Sequence, residues 1–172
     1  AIQGARGAVV GDAPASVKPG EKVKVRVTLD NTKVGHTFPT GPLDMIQSWV
    51  DLRVTQGGRE VFRSGALDER GFLEDGDFEL KSEGVDRAGN LIDKHNLWEM
   101  VGARFKRSLF PGFADTAEFS FSCPSALART EPTPPVRETE MKLPATVKGN
   151  LTVTARLLYR KVDQTLIDYV FP

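Results

Sequence analysis

Few side chains in this sequence can do chemistry: two histidines, His36 and His95, one cysteine, Cys123, and a run of acids between Asp68 and Glu83. The most site-like stretch is Val34-Gly35-His36-Thr37-Phe38-Pro39-Thr40-Gly41-Pro42. Its glycines open backbone angles closed to other residues, and its prolines fix φ and remove amide donors. The composition predicts a loop of one shape, with His36 and Phe38 at its crown. An imidazole and an aromatic ring held this way resemble a binding site, or the imidazole can brace the loop by donating to a carbonyl across it. For the isolated chain the bracing role has the better case, because no metal partner is encoded nearby. Gly35, His36, Phe38, Pro39, Thr40 and Gly41 together form the candidate interaction loop.

The remaining chemical groups lead less far. Asp68, Glu69, Glu74, Asp75, Asp77, Glu79 and Glu83 supply oxygen ligands at high density, but their spacing fits no EF-hand loop, so a solvated acidic loop is expected. Cys123 falls on the apolar side of an alternating run, which predicts an inert core thiol. A single cysteine forms neither an internal disulfide nor a Cys-x-x-Cys-His haem attachment. His95 and Trp98 could join a surface site, although a Trp beside Leu is more often packed. No Gly-x-Ser-x-Gly, phosphate loop or His-Glu-x-x-His is present, so no catalytic residue, no metal site and no enzymatic activity is assigned.

The elements that must carry these residues are strands. Val23, Val25, Val27 and Leu29 alternate with Lys22, Lys24, Arg26 and Thr28, a β-branched stripe for a core and a polar stripe for water. From Ile46 to Thr55 the pattern repeats, with Val50, Leu52 and Val54 on one side and Trp49, Asp51 and Arg53 on the other. Gly57-Gly58 then turns the chain into a hairpin with Glu60–Ser64. A second hairpin is expected around Phe110-Pro111-Gly112-Phe113, joining Arg104–Leu109 to Ala117–Cys123. Leu151–Tyr159 alternates strictly and reads as a central strand, and Leu166, Tyr169 and Val170 fit one or two helical turns or a short strand. The predicted interior is Val23, Val25, Val27, Leu29, Val50, Leu52, Val54, Phe119, Phe121, Leu151, Val153 and Ala155. Prolines at 124, 132, 134, 135 and 144 make the 124–148 stretch an extended loop, suited to lie over a partner.

Short alternating strands with turn residues between them predict an all-β protein, an antiparallel β-sandwich of immunoglobulin-like architecture with long loops and a short C-terminal helix. At 172 residues it should be one domain, 1–172. The 23 basic and 23 acidic residues leave no net charge to draw nucleic acid or an anionic membrane. No apolar run spans a bilayer, so no membrane insertion by this segment is expected, and Ala1 begins without a signal peptide, as in a mature or excised piece.

Several of these stretches also carry a likeness. Ser16-Val17-Lys18-Pro19-Gly20-Glu21 with its strand, Asn31, Gly35–Gly41, Arg59–Ser64, Ile92–Trp98, Pro111-Gly112 and Leu151–Arg160 resemble the β-sandwich domain found C-terminal to the haem-binding arrays of multihaem c-type cytochromes. The resemblance runs from about Ser16 to Tyr169, and Gly-His-x-Phe-Pro-Thr-Gly is its most specific part. It implies an accessory domain or subunit that docks on a multihaem cytochrome or membrane redox complex, in the periplasm or at the cell surface. The chain departs from such cytochromes in having no haem-attachment motif. It therefore implies no covalent cofactor here, only haem on a partner, with His36 as the residue that would contact it. The alternative class is an extracytoplasmic carbohydrate-binding or adhesion sandwich, in which Trp49 and Trp98 would stack on a sugar.

Overall fold

A computed structural model describes residues 10–42, 44–74, 77–124 and 149–172. The alternating run Lys22–Asp30 forms strand β2, with its apolar residues buried and Lys22, Lys24 and Arg26 exposed, as its two-residue period requires. On one side it pairs antiparallel with β1 (Val10–Asp12). On the other it pairs along its whole length with the strand Ala114–Ser122, from Lys22 opposite Ser122 to Asp30 opposite Ala114. On the wet face Glu118 answers Lys24 and Arg26 at 3.0 and 3.2 Å.

The second sheet is built on β3 (Gln47–Gln56), which turns through Gly57 and Gly58 into β4 (Arg59–Ser64). Both glycines have positive φ, as a tight hairpin turn demands, and the ladder carries one bulge between Val54 and Thr55. β5 (Glu79–Leu80) continues on the β4 side, and Leu151–Arg160 lies antiparallel along all ten residues of β3 on the other. A two-stranded ribbon pairs β6 (Ser82–Val85) with β7 (Gly102–Lys106). In chain order Ala114–Ser122 is then β8, Leu151–Arg160 is β9, and Gln164–Val170 is the helix α1. Asp163 caps α1 by accepting from Leu166 N at 2.9 Å, and Leu166 is its buried residue.

The two sheets share one core. Val23, Val25, Val27, Leu29, Ala117, Phe119 and Phe121 of one meet Val50, Leu52, Val54, Val61, Phe62 and Leu80 of the other. Phe62 and Phe121 stack across the gap at 5.0 Å between ring centroids. The fold is an all-β antiparallel sandwich with a short C-terminal helix.

Four expectations change. β7 does not pair with β8: β2 occupies β8 throughout, and β7 turns away to β6. Among the described residues β9 pairs with β3 alone, at the edge of the sheet rather than at its centre, and Val153 is 37% exposed on it, while Leu151 and Ala155 pack half-buried on the core. The face of β3 opposite the core is only partly in water, for Trp49 and Asp51 are both buried and Arg53 is exposed. Asp51 sits between Arg63 and Arg156, the latter from the strand directly opposite it. Finally, the acidic stretch is more than a solvated loop, since it supplies β5 and the start of β6. Apart from Pro124, the proline-rich 124–148 stretch lies outside the described residues. No helix among the described residues is long and apolar enough to cross a membrane.

Candidate functional site

The 34–42 loop is held from beneath by Asn31, the buried residue that directly follows β2. Its side-chain amide donates to the carbonyls of His36 and Leu109, both at 3.0 Å, and its oxygen accepts from Val34 N at 3.2 Å. Phe38 and Leu109 exchange backbone hydrogen bonds at 2.8 and 2.7 Å. The Phe38–Pro39 peptide is cis and Pro39 is fully buried. Phe38 is not at the crown; it packs half-buried against the core, 6.3 Å from the ring of Tyr159. Gly41 uses its freedom, with φ at 108°, whereas Gly35 has no positive φ and open space where a Cβ would stand.

His36 is exposed, and its Nδ1 lies 3.0 Å from the carbonyl of the adjacent Thr37. The ring does not reach across the loop; the brace is Asn31. Asn31→Ala should therefore lose about 1–3 kcal/mol, since the carbonyl of His36 and the amide of Val34 lose their side-chain partner while the carbonyl of Leu109 keeps its bond from Phe38 N, and His36→Ala close to nothing. Equal urea midpoints for the two variants would refute this assignment of the brace.

The second histidine is placed differently. His95 has φ at 58°, the one non-glycine residue with positive φ among the described residues. Its Nδ1 lies 2.9 Å from Oδ2 of Asp44, a side chain only 2% exposed, while the histidine side chain is 47% exposed. Oδ1 of Asp44 is buried and has no hydrogen-bond partner among the described residues. Asp44 also lines a cleft of about 250 Å³ with Asp93, Asp163, Glu79, Lys81 and Arg160. Lys81 is bridged to Glu79 and Glu83, and Arg160 donates to Gln47 and to the carbonyl of Gly71. Burial pushes the Asp163 carboxyl above its ordinary value and the facing Asp44 and Asp93 push the same way, against the Leu166 hydrogen bond and the attraction of Arg160.

Just after His95 the chain makes a single 3-10 turn, Leu97–Glu99, that buries no residue. Trp98 stands 81% exposed there, with Leu97, Met100 and Val101 also open to solvent. Trp49 by contrast is buried, its indole N–H donating to the carbonyl of Gly65 at 2.9 Å. The two tryptophans form no common platform.

Much of the acidic stretch is engaged locally. Asp68 accepts from the amides of Arg70 and Phe72, and Asp77 from Ser64 and Gly65 N. Asp75 lies outside the described residues. Among the described residues no group of three or more His, Cys, Asp or Glu is arranged to hold a metal ion. Cys123 is buried, and burial lifts its thiol above the ordinary value. Sequence reasoning misses Asn31 as a brace and misses Asp44. An Asn closing a strictly alternating strand is the available signal for the first; nothing local marks the second, whose partner is 51 residues away.

No family model matches the chain, and no curated protein matches it. Among solved structures it is similar to a penta-heme cytochrome c552 from Thermochromatium tepidum, with a TM-score of 0.55 and 15% sequence identity. The likeness covers 95% of this chain and 35% of that one, so the chain spans about a third of the cytochrome's length. At this identity the likeness is one of fold.

Proposed function

We propose that this chain is a non-catalytic accessory sandwich that docks on a multihaem cytochrome or other redox complex, outside the cytoplasm, and supports electron transfer structurally. The observation that carries the reading is the extent of the fold likeness: nearly the whole chain matches one third of a chain named for five haems. The chain adds no covalent haem of its own, because Cys123 is single and buried. Its formal charge is balanced, so docking depends on shape and apolar contact. The exposed Trp98 with Leu97, Met100 and Val101 supplies such a contact. A large aromatic ring left open is the kind of anchor that dominates interfaces.

The immobilised chain should capture a c-type haem protein from periplasmic and membrane fractions of the native cells, detected by haem staining. Trp98→Ala should reduce that capture by about tenfold or more, the loss typical of a central interface aromatic, without lowering stability. Capture of polysaccharide with no haem protein would replace this reading with the carbohydrate-binding one.

A further inference from the structure

Asp44 and His95 form a pair whose chemistry is directional. A buried carboxylate can only accept, so the hydrogen bond at 2.9 Å places a proton on Nδ1 of His95. In the neutral ring that leaves the lone pair on Nε2, on the far side of the imidazole from Asp44. Among the described residues Nε2 has no hydrogen-bond partner, and the side chain is half open to solvent. A carboxylate behind one ring nitrogen and an open position at the other is the arrangement that orients a metal-ligating histidine and raises its basicity. The same arrangement could serve a general base. No hydroxyl or thiol among the described residues hydrogen-bonds to this ring, so a nucleophile for it to activate is missing.

His36 also has Nδ1 occupied, but by a neighbouring backbone carbonyl on an exposed loop, not by a buried anion. The chain beyond His95 differs too: the apolar side chains of Leu97, Trp98, Met100 and Val101 stand open within six residues of it. A porphyrin is a broad apolar plate around a metal, and it needs both a nitrogen ligand and apolar cover. Resting on the docking reading above, we propose that Nε2 of His95 is an axial-ligand position for the iron of a haem carried by the partner, with Asp44 as its positioning residue. The step is coordination alone: the nitrogen lone pair fills an open iron position and no electron or proton changes hands.

The test is a titration of a water-soluble haem c peptide with an open sixth position against the full chain, followed by the shift of its Soret band to the low-spin form. The wild-type chain should produce the shift. His95→Gln, which keeps a donor for Asp44, should abolish it, and His36→Ala should leave it unchanged. Asp44→Asn should weaken binding about 10- to 100-fold, the usual effect of removing the group behind a metal-ligating histidine. If Asp44→Asn fails to fold, the contrast between His95→Gln and His36→Ala decides alone. Equal loss in those two variants, or a full shift with His95→Gln, overturns the proposal. The probe is not the partner, so the two readings fail separately. A low-spin shift without capture of any haem protein sinks docking and keeps the ligand, while capture without the shift does the reverse.

Discussion

Replacing Phe121 with Ala is expected to destabilise the protein by about 3–5 kcal/mol, the range for a large aromatic removed from a packed core. The ring belongs to β8, lies opposite Val23 in the ladder with β2, and stacks on Phe62 of β4 in the other sheet. It therefore links the two sheets. Its removal loses the transfer energy of the ring and leaves a hole that paired strands on both sides cannot collapse to fill. Phe113, just before β8, is exposed, and Phe113→Ala should change stability by no more than about 0.5 kcal/mol. Urea denaturation followed by far-ultraviolet circular dichroism measures both. Similar midpoints for the two variants would mean that Phe121 is not between the sheets.

The burial of Phe121 is legible in the sequence alone, because it depends on which face of a strand the residue takes. Alternation reports that face directly, and Val23 to Leu29 follow it without exception. The Gly57-Gly58 hairpin is legible for a related reason: its turn needs two residues at positive φ. Alternation does not report a strand's partner. The run through Phe105 and the run through Phe119 look like two arms of one hairpin, yet β2 pairs with all nine residues of β8 and leaves β7 to β6. Alternation also assumes that the face turned from the core meets water. On β3 that fails, because Arg63 and Arg156 on the flanking strands cover Asp51. On β9 the opposite failure occurs: Val153 lies opposite the core residue Val54, yet with β3 as the strand's one partner among the described residues it is exposed.

The site is less legible than the fold, and the reason is distance along the chain. The Gly-His-x-Phe-Pro-Thr-Gly run stands out because its composition is unusual, but composition gives no direction to a side chain. Phe38 turns inward and His36 outward, while the load of holding the loop falls to Asn31, which also ties it to Leu109, 78 residues on. The pairing of His95 with Asp44 spans 51 residues and joins a loop before β3 to the stretch between β6 and β7. Only the packing of those elements brings the carboxylate behind the ring.

The other large effect is expected at Gly65, where Ala should cost about 2–5 kcal/mol from two separate sources, backbone conformation and overlap. Gly65 has φ at 83°, and a residue with a Cβ pays about 1–2 kcal/mol to take that conformation. The added carbon would also stand 2.2 Å from the carbonyl oxygen of Val50 and 2.9 Å from Cα of Asp51. Those are backbone atoms of β3, paired with β9 on one side and with β4 and β5 on the other, so no rotamer change relieves the overlap. Overpacking of this kind adds about 1–3 kcal/mol. Moving Gly65 instead would disturb the bond from Trp49 to its carbonyl and the bond from its amide to Asp77. Gly58 separates the two sources, for it has φ at 79° with open space where the Cβ would go. Gly58→Ala should show the conformational cost alone, about 1–2 kcal/mol. In a Trp98→Phe background the remaining tryptophan is Trp49, and Gly65→Ala should shift its emission to longer wavelength while Gly58→Ala should not. Matching urea midpoints and matching emission for the two alanine variants would show that the close approach of Gly65 to β3 is not what this part of the fold depends on.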